Sequence, residues 1–292
     1  MLLLRFYKLI LLLFIFYSLP GQQTGNPMPG AYSTRSYVHL LKDKKVALVV
    51  NHTSVILKTH LADSLLASGI QVTKIFAPEH GFRGSADAGA HVDDSVDQKT
   101  GLPIISLYGS HKKPNQEDFK NVEMVVFDIQ DVGVRFYTYS STLHYVMEAC
   151  AENKVPLLIL DRANPNGHYV DGPVLDRQFA SFVGLNPIPI IHGCTLGELA
   201  KMINGEGWLA NQVVCDLKVI PVQNYTHDAF VHISIPPSPN LPNDQSIGLY
   251  PSLCISRKPN RLPSNADSNP EGRFVRDPQP FGIGLGQCRY VQ

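Results

Sequence analysis

Five short apolar runs recur along the chain, at Val46 to Val50, Val72 to Ala77, Ile104 to Tyr108, Met124 to Ile129 and Leu157 to Leu160. None alternates with polar residues, so each predicts a strand covered on both faces. Between them the period changes. His60 to Ser68 puts Leu61 and Leu65 on one face and stops at Gly69, a natural helix end. Ser141 to Glu152 sets Leu143, Val146, Met147 and Cys150 at i, i+3, i+4 and i+7, the core stripe of an amphipathic helix. Thr195 to Asn204 opens on Thr195-Leu-Gly-Glu198, a capping box, and closes at Gly205. Strands alternating with helices predict the α/β class, a parallel sheet with helices on both faces. Further strands are predicted over Val213 to Val222 and over His232 to Ile235, the second running into Pro236-Pro-Ser-Pro-Asn240. From about Ile255 to Gln292, polar and basic residues, Pro and Gly follow no period, a composition that packs poorly.

The N-terminus departs from this pattern. Arg5 and Lys8 precede an apolar run, Leu9 to Leu19, too short for a typical membrane span and followed by Pro20 and Gly21. Residues 1–21 therefore read as a secretory signal peptide, with a retained anchor as the competing reading, and residues 22–44 as a polar linker. No Cys follows the run, which argues against a lipoprotein anchor. Composition narrows the class further. With 25 basic and 25 acidic side chains in 292 residues and 44% hydrophobic content, the chain is neither disordered nor a generic nucleic-acid binder. Cys150, Cys194, Cys215, Cys254 and Cys288 are widely spaced without a Cys-x-x-Cys pair, so no zinc or disulfide framework is predicted. Most read as small buried apolar residues, although an exported chain can oxidise one pair.

In an open parallel α/β sheet, ligands bind beyond the carboxyl ends of the strands. The residues there are polar at every run: Asn51, His52, Thr53 and Ser54; Glu79, His80 and Arg83; Tyr108; Asp128, Gln130, Asp131, Arg135, Tyr137 and Tyr139; Asp161, Arg162, Asn164 and Asn166. Each also has a structural reading. Asp128 or Asp131 can cap a turn, Arg135 can pair with either, Glu198 belongs to its capping box, and His192 can be a turn residue. Glu79 resists such an account: it sits between Pro78 and His80-Gly81, too far from a helix start to cap one, on a loop well placed for proton transfer. No Gly-x-Gly-x-x-Gly, Walker A loop, Gly-x-Ser-x-Gly elbow or His-Glu-x-x-His helix is present where its chemistry needs it. His80, His91, Asp93 and Asp94 offer a metal site only at a spacing that fits no standard pattern, so no metal and no cofactor are expected.

Pro78-Glu-His-Gly-Phe-Arg-Gly84, Phe127-Asp-Ile-Gln-Asp-Val-Gly-Val-Arg-Phe-Tyr-Thr-Tyr139, Leu160-Asp-Arg-Ala-Asn-Pro165, His192-Gly-Cys-Thr195 and Pro236-Pro-Ser-Pro-Asn-Leu241 together resemble the NamZ-type exo-β-N-acetylmuramidases, glycoside hydrolase family 171. The resemblance runs from about Lys45 to Cys254, with Ala163 where the family usually has Pro and Cys194 where it usually has Met. It implies a Rossmann-like catalytic domain over residues 45–222, the start of a smaller C-terminal domain over 223–254, and an active site in the cleft between the two. The 255–292 tail does not resemble the family's continuation, as a frameshift or premature stop would produce, and one wall of the cleft is then missing.

The activity implied is release of N-acetylmuramic acid from the non-reducing end of peptidoglycan fragments. The expected partners are muropeptides or MurNAc-GlcNAc saccharides, in the periplasm or outside a bacterial cell, with membrane contact only through an uncleaved signal segment. Glu79 is expected to act as general acid, a role that requires it to keep its proton near neutral pH. Asp128 and Asp131 are candidates for the second carboxylate, and the N-acetyl group of the substrate is the alternative. Arg135 or Arg83 is expected to hold the lactyl carboxylate, and Tyr137 and Tyr139 to stack or to donate. His52, His80, Gln130, Asp161, Arg162, Asn164, His192 and Asn240 complete the expected binding set. The rival readings are a cell-wall-sugar binding protein without turnover, an inactive truncated relative, and a metal-dependent hydrolase.

Overall fold

The computed structural model describes residues 25–79, 81–83 and 95–253. The signal segment, His80, His91, Asp93, Asp94, Cys254, Cys288 and the 255–292 tail lie outside the described residues, and so do the readings made on them.

β1 (Lys45–Val50) lies at the centre of a seven-stranded sheet, paired in parallel with β4 (Gln71–Ala77) on one side and β7 (Met124–Asp128) on the other. β6 (Pro103–Ser106) extends the sheet beyond β4, and β8 (Leu157–Leu160) and β9 (Leu217–Ile220) extend it beyond β7, all in parallel. A short antiparallel strand, β5 (Ser95–Val96), closes the edge, giving the order β5-β6-β4-β1-β7-β8-β9. β2 (Val55–Ile56) and β3 (Thr59–His60) form a separate two-stranded ladder. The apolar runs are unbroken because alternate residues serve two cores: Ala47 and Val49 join one buried cluster, Val46, Leu48 and Val50 the other. α1 (Thr34–Leu41) and α2 (Leu61–Ala67) cover the second cluster through Tyr37, Leu41, Leu61 and Leu65. α3 (Tyr139–Asn153) and α4 (Leu196–Gly205) cover the first through Leu143, Val146, Met147, Leu199 and Ile203. This is the expected Rossmann-like α/β sheet.

Helix ends follow local chemistry. His60 caps α2 by accepting from Ala62 N–H, and Gly69 at φ 76° ends it. α4 has the full capping box, with the Thr195 hydroxyl accepting from Glu198 N–H and the Glu198 carboxylate accepting from Thr195 N–H. Gly205 is the last helical residue of α4, and the chain turns away at Gly207, φ 63°. α3 starts two residues before the expected Ser141, so that Tyr139 is already helical.

Three expectations are corrected. The 22–44 segment is not a plain linker: it holds a 3-10 turn at Gly30–Tyr32 and then α1. Tyr37 and Leu41, four residues apart, bury into the sheet, and the Tyr37 hydroxyl donates to Ala31 O at 2.8 Å. His232–Ile235 is not a strand, because Ile233 N–H is taken by Asp244 Oδ1 at 3.0 Å instead of a neighbouring strand. The Val213–Val222 strand shortens to β9. Beyond it, Leu241 and Ile247 of the segment bearing α5 (Asp244–Leu249) lie in the same buried cluster as α3. No helix among the described residues is long and apolar enough to cross a membrane.

The topology locates a crevice. The chain runs outward from β1 to β4 and β6, then returns to β7 and runs outward on the other side. Connections leaving β1 and β7 therefore diverge at their carboxyl ends, the place where such sheets bind ligands.

Candidate active site

Glu79 stands half-buried on the loop leaving β4. Thr138 Oγ1, at the N-cap of α3, donates to Glu79 Oε2 at 3.1 Å, and the Tyr139 hydroxyl donates to the Glu79 carbonyl at 3.4 Å. Tyr108, beyond β6, adds a hydroxyl to the same carboxylate; burial and then the Glu79 charge push that phenol up. The Tyr139 hydroxyl also accepts from Asn51 Nδ2 at 3.0 Å, and its ring meets Tyr137 edge-on with centroids 4.9 Å apart. Asn51 Oδ1 accepts from Thr53 N–H and Oγ1 at 2.9 and 2.6 Å, while Thr53 Oγ1 accepts from Gln130 N–H at 3.0 Å. The loops after β1, β4 and β7 are thus one hydrogen-bonded unit around Glu79.

Asp131 is buried at the same edge. Its Oδ1 accepts from Gly133 N–H at 2.7 Å, while its Oδ2 has no hydrogen-bond partner among the described residues. Burial pushes this carboxyl up to about 7, against the opposing pull of the Gly133 and Val132 amides. The site therefore contains one carboxyl that titrates near neutrality. Gly133 makes the turn possible: its φ is 74°, and a Cβ would stand 2.1 Å from Asn164 Oδ1.

Several other expected site residues are committed elsewhere. Asp128, fully buried, gives both carboxylate oxygens to Arg162, through Nε and through Nη2, the latter at 3.0 Å, so neither residue is available as a base or a substrate clamp. Asp161 anchors α4: Oδ2 accepts from the Thr195 hydroxyl at 2.6 Å and Oδ1 from Gly197 N–H at 2.9 Å, while burial lifts its pKa to about 6. Asn164 bridges Cys194 O and Asn166 N–H at 2.9 and 2.8 Å. Arg83 forms a bidentate pair with Asp97 at 2.8 and 2.7 Å, and Arg135 donates through Nη1 to the carbonyls of Pro173 and Ile188 at 2.8 and 2.6 Å. Both arginines expected to grip a carboxylate are therefore spent on the protein's own groups. Gln130 Nε2 ties down Asp131 O and Ala163 O at 2.7 and 2.8 Å.

The Pro-rich 236–240 stretch closes over this edge. His52 Nε2 bonds Pro236 O at 2.8 Å and the Tyr137 hydroxyl donates to Pro237 O at 2.9 Å. Asn240 is exposed, its N–H bonded to Ser238 Oγ at 3.2 Å. His192 is buried with both ring nitrogens unpartnered among the described residues; burial, then the Arg135 charge, lower it to about 4. Thr138, Tyr108 and Asn51 touch the centre; the sequence placed Tyr108 and Asn51 at strand ends without giving them a role, and Thr138 was not singled out. Thr138 carried a usable signal, since it lies inside the Phe127 to Tyr139 motif. Among the described residues no three His, Cys, Asp or Glu side chains are grouped to hold a metal ion.

Comparison with known proteins identifies the family. Residues 46–245 match the family model described as exo-β-N-acetylmuramidase NamZ, N-terminal. The chain belongs to the NamZ family. It is 44% identical over 226 residues to the peptidoglycan β-N-acetylmuramidase NamZ of Bacillus subtilis strain 168, a match that covers 75% of this chain and 54% of that one. A crystal structure of a DUF1343 family protein from Bacteroides fragilis NCTC 9343 superposes with a TM-score of 0.73 at 50% identity, covering 79% of this chain and 62% of its own. A second such structure from that organism gives 0.72 at 34% identity, covering 79% and 60%. The chain thus spans little more than half the length of its curated relative.

Proposed function

We propose that this NamZ family member is an exo-acting β-N-acetylmuramidase that releases N-acetylmuramic acid from the non-reducing end of peptidoglycan fragments, in cell-wall turnover or recycling. Its substrates on this reading are muropeptides or MurNAc-GlcNAc saccharides. It would work outside the cytoplasm, in keeping with the signal-like 1–21 segment and with where peptidoglycan lies. The observation that carries the reading is the pairing of the half-buried Glu79 with the buried Asp131, a carboxyl that titrates at about 7, at the switch point of the sheet. Glycoside hydrolysis needs an acid for the leaving-group oxygen and a second group for the anomeric centre.

On this reading Glu79 delivers its proton to the leaving oxygen while Thr138 and Tyr108 orient its carboxylate. Water completes the sugar at the anomeric carbon. The proton of the attacking water passes to Asp131 in its ionised form, present as pH approaches about 7; Asp128 cannot take it, because Arg162 holds both its oxygens. The test is release of free N-acetylmuramic acid from MurNAc-GlcNAc by the purified chain. Glu79→Gln is expected to lower turnover by at least about 10³-fold while the melting temperature stays within about 2 °C. Unchanged turnover removes Glu79 from the role, and saturable binding without any product replaces hydrolysis by sugar binding.

A further inference from the structure

Asn51, His52 and Thr53 follow one another in the loop leaving β1, and each reaches a different part of the molecule. Asn51 bonds Tyr139 at the start of α3, His52 bonds Pro236, and Thr53 bonds Gln130 beyond β7. Asn51 is fully buried, so it touches no substrate, and what it does for the reaction passes through its neighbours.

Its amide can face only one way. Thr53 N–H, a donor in every state, and the Thr53 hydroxyl approach the same amide atom at 2.9 and 2.6 Å, so that atom is Oδ1. Nδ2 is left to donate to the Tyr139 oxygen at 3.0 Å. The Tyr139 proton is thereby turned away from Asn51. Two acceptors remain for it: the Glu79 carbonyl at 3.4 Å, and the oxygen of Tyr137, whose own proton is spent on Pro237 O at 2.9 Å. The Thr53 hydroxyl is directed in the same manner: its proton goes to Asn51 Oδ1, and its oxygen accepts from Gln130 N–H at 3.0 Å. One buried amide thus directs the hydrogen bonds that run to both carboxyl-bearing segments, to Glu79 itself and to Gln130, the neighbour of Asp131.

Glu79 is gripped at two points from one helix start. Tyr139 holds its carbonyl, and the preceding residue, Thr138, holds its carboxylate at 3.1 Å. The amide behind this grip is anchored in turn. Asn51 N–H donates to Ser54 Oγ at 3.0 Å, and Asn51 O accepts at 2.9 Å from Nε2 of His60, whose Nδ1 accepts from Ala62 N–H.

We propose that Asn51 is a positioning residue for the hydrolysis: through Tyr139 and Thr53 it holds the Glu79 and Asp131 segments in one register and so fixes the separation of the two carboxyls. The proposal rests on the muramidase reading above. That separation decides what the second group can reach in glycoside hydrolysis, and a misplacement of about 1 Å can cost about 10²-fold in rate. Asn51 therefore acts on turnover and not on affinity.

The test measures release of N-acetylmuramic acid from MurNAc-GlcNAc by the full chain and its variants, with kcat and KM determined separately. Asn51→Ala is expected to lower kcat at least about tenfold with KM within about twofold of the parent. That variant also takes the acceptor from Thr53 N–H, so two near-isosteric variants, Tyr139→Phe and Thr53→Val, keep the question answerable if it does not fold. Each removes one hydroxyl and is expected to lower kcat about tenfold with KM again within about twofold. The double variant is expected to lose no more than about threefold beyond the worse single one, because both links end on the same amide. Losses that multiply, a kcat unchanged in both single variants, or a raised KM at unchanged kcat each overturn the role of Asn51, and activity of the parent then leaves the muramidase reading intact. A parent that releases no sugar overturns both.

Discussion

At the scale of single residues, the site separates two carboxylates of unlike surroundings. Glu79 keeps an open side and hydroxyl neighbours, whereas Asp131 is enclosed with one oxygen unpartnered. The second arrangement has a cost that depends on pH. The folded state holds the Asp131 proton up to about 7, against an ordinary value of 3.8. Between those values the folded chain binds a proton that the unfolded chain has released, so stability falls as pH rises through that window. Asp131→Asn keeps an oxygen for Gly133 N–H and removes the titration. It is expected to gain on the order of 5 °C in melting temperature relative to the parent on going from pH 4 to pH 8. A difference that does not change with pH would show that Asp131 is not the buried acid described. Much of this was legible from sequence: Glu79 stood out because nothing local explained it. The pairing of Asp128 with Arg162 was not legible, because both are polar residues at strand ends and only their approach in space decides that each satisfies the other.

At the scale of elements, α4 shows how a supposed ligand group becomes a support. Asp161, at the end of β8, accepts from Thr195 and Gly197 and so fixes the first turn of α4 against the sheet. The helix comes so close that a Cβ at Gly197 would stand 2.6 Å from Asp161 Cγ and 2.6 Å from Val219 Cγ1. Gly197→Ala is therefore expected to cost about 1–3 kcal/mol, read as a lower denaturant midpoint with unchanged slope. An unaltered midpoint would mean that α4 can shift freely. The capping box that starts this helix was plain in the sequence, being a local signal four residues long. That Asp161 would serve it was hidden, since the two lie thirty-four residues apart.

At the scale of the whole molecule, long-range contacts tie the crevice together. His52 and Tyr137 hold the 236–237 carbonyls, and Arg135 clamps the two limbs of the 171–192 excursion. Arg135→Ala removes the side chain that joins Pro173 O to Ile188 O, leaving Ile188 O only the Leu175 N–H at 3.2 Å, and is expected to speed limited proteolysis between Asp171 and His192 several-fold, well below the temperature of global unfolding. Cleavage at the parental rate would assign the loop's rigidity to other contacts. The six parallel strands, three of the helices and the edge where polar residues gather were determined by the sequence alone, because periodicity, capping and turn formation are set by residues within a few positions of one another. α1 escaped that reading, since its two anchors, Tyr37 and Leu41, are a weak stripe until a sheet lies beneath them. Which polar residues at the edge face a ligand and which brace the loops was decided only by the tertiary structure. A buried donor or charge must find a partner, and for Asp128, Asp161, Arg83 and Arg135 that partner arrives from a distant part of the chain.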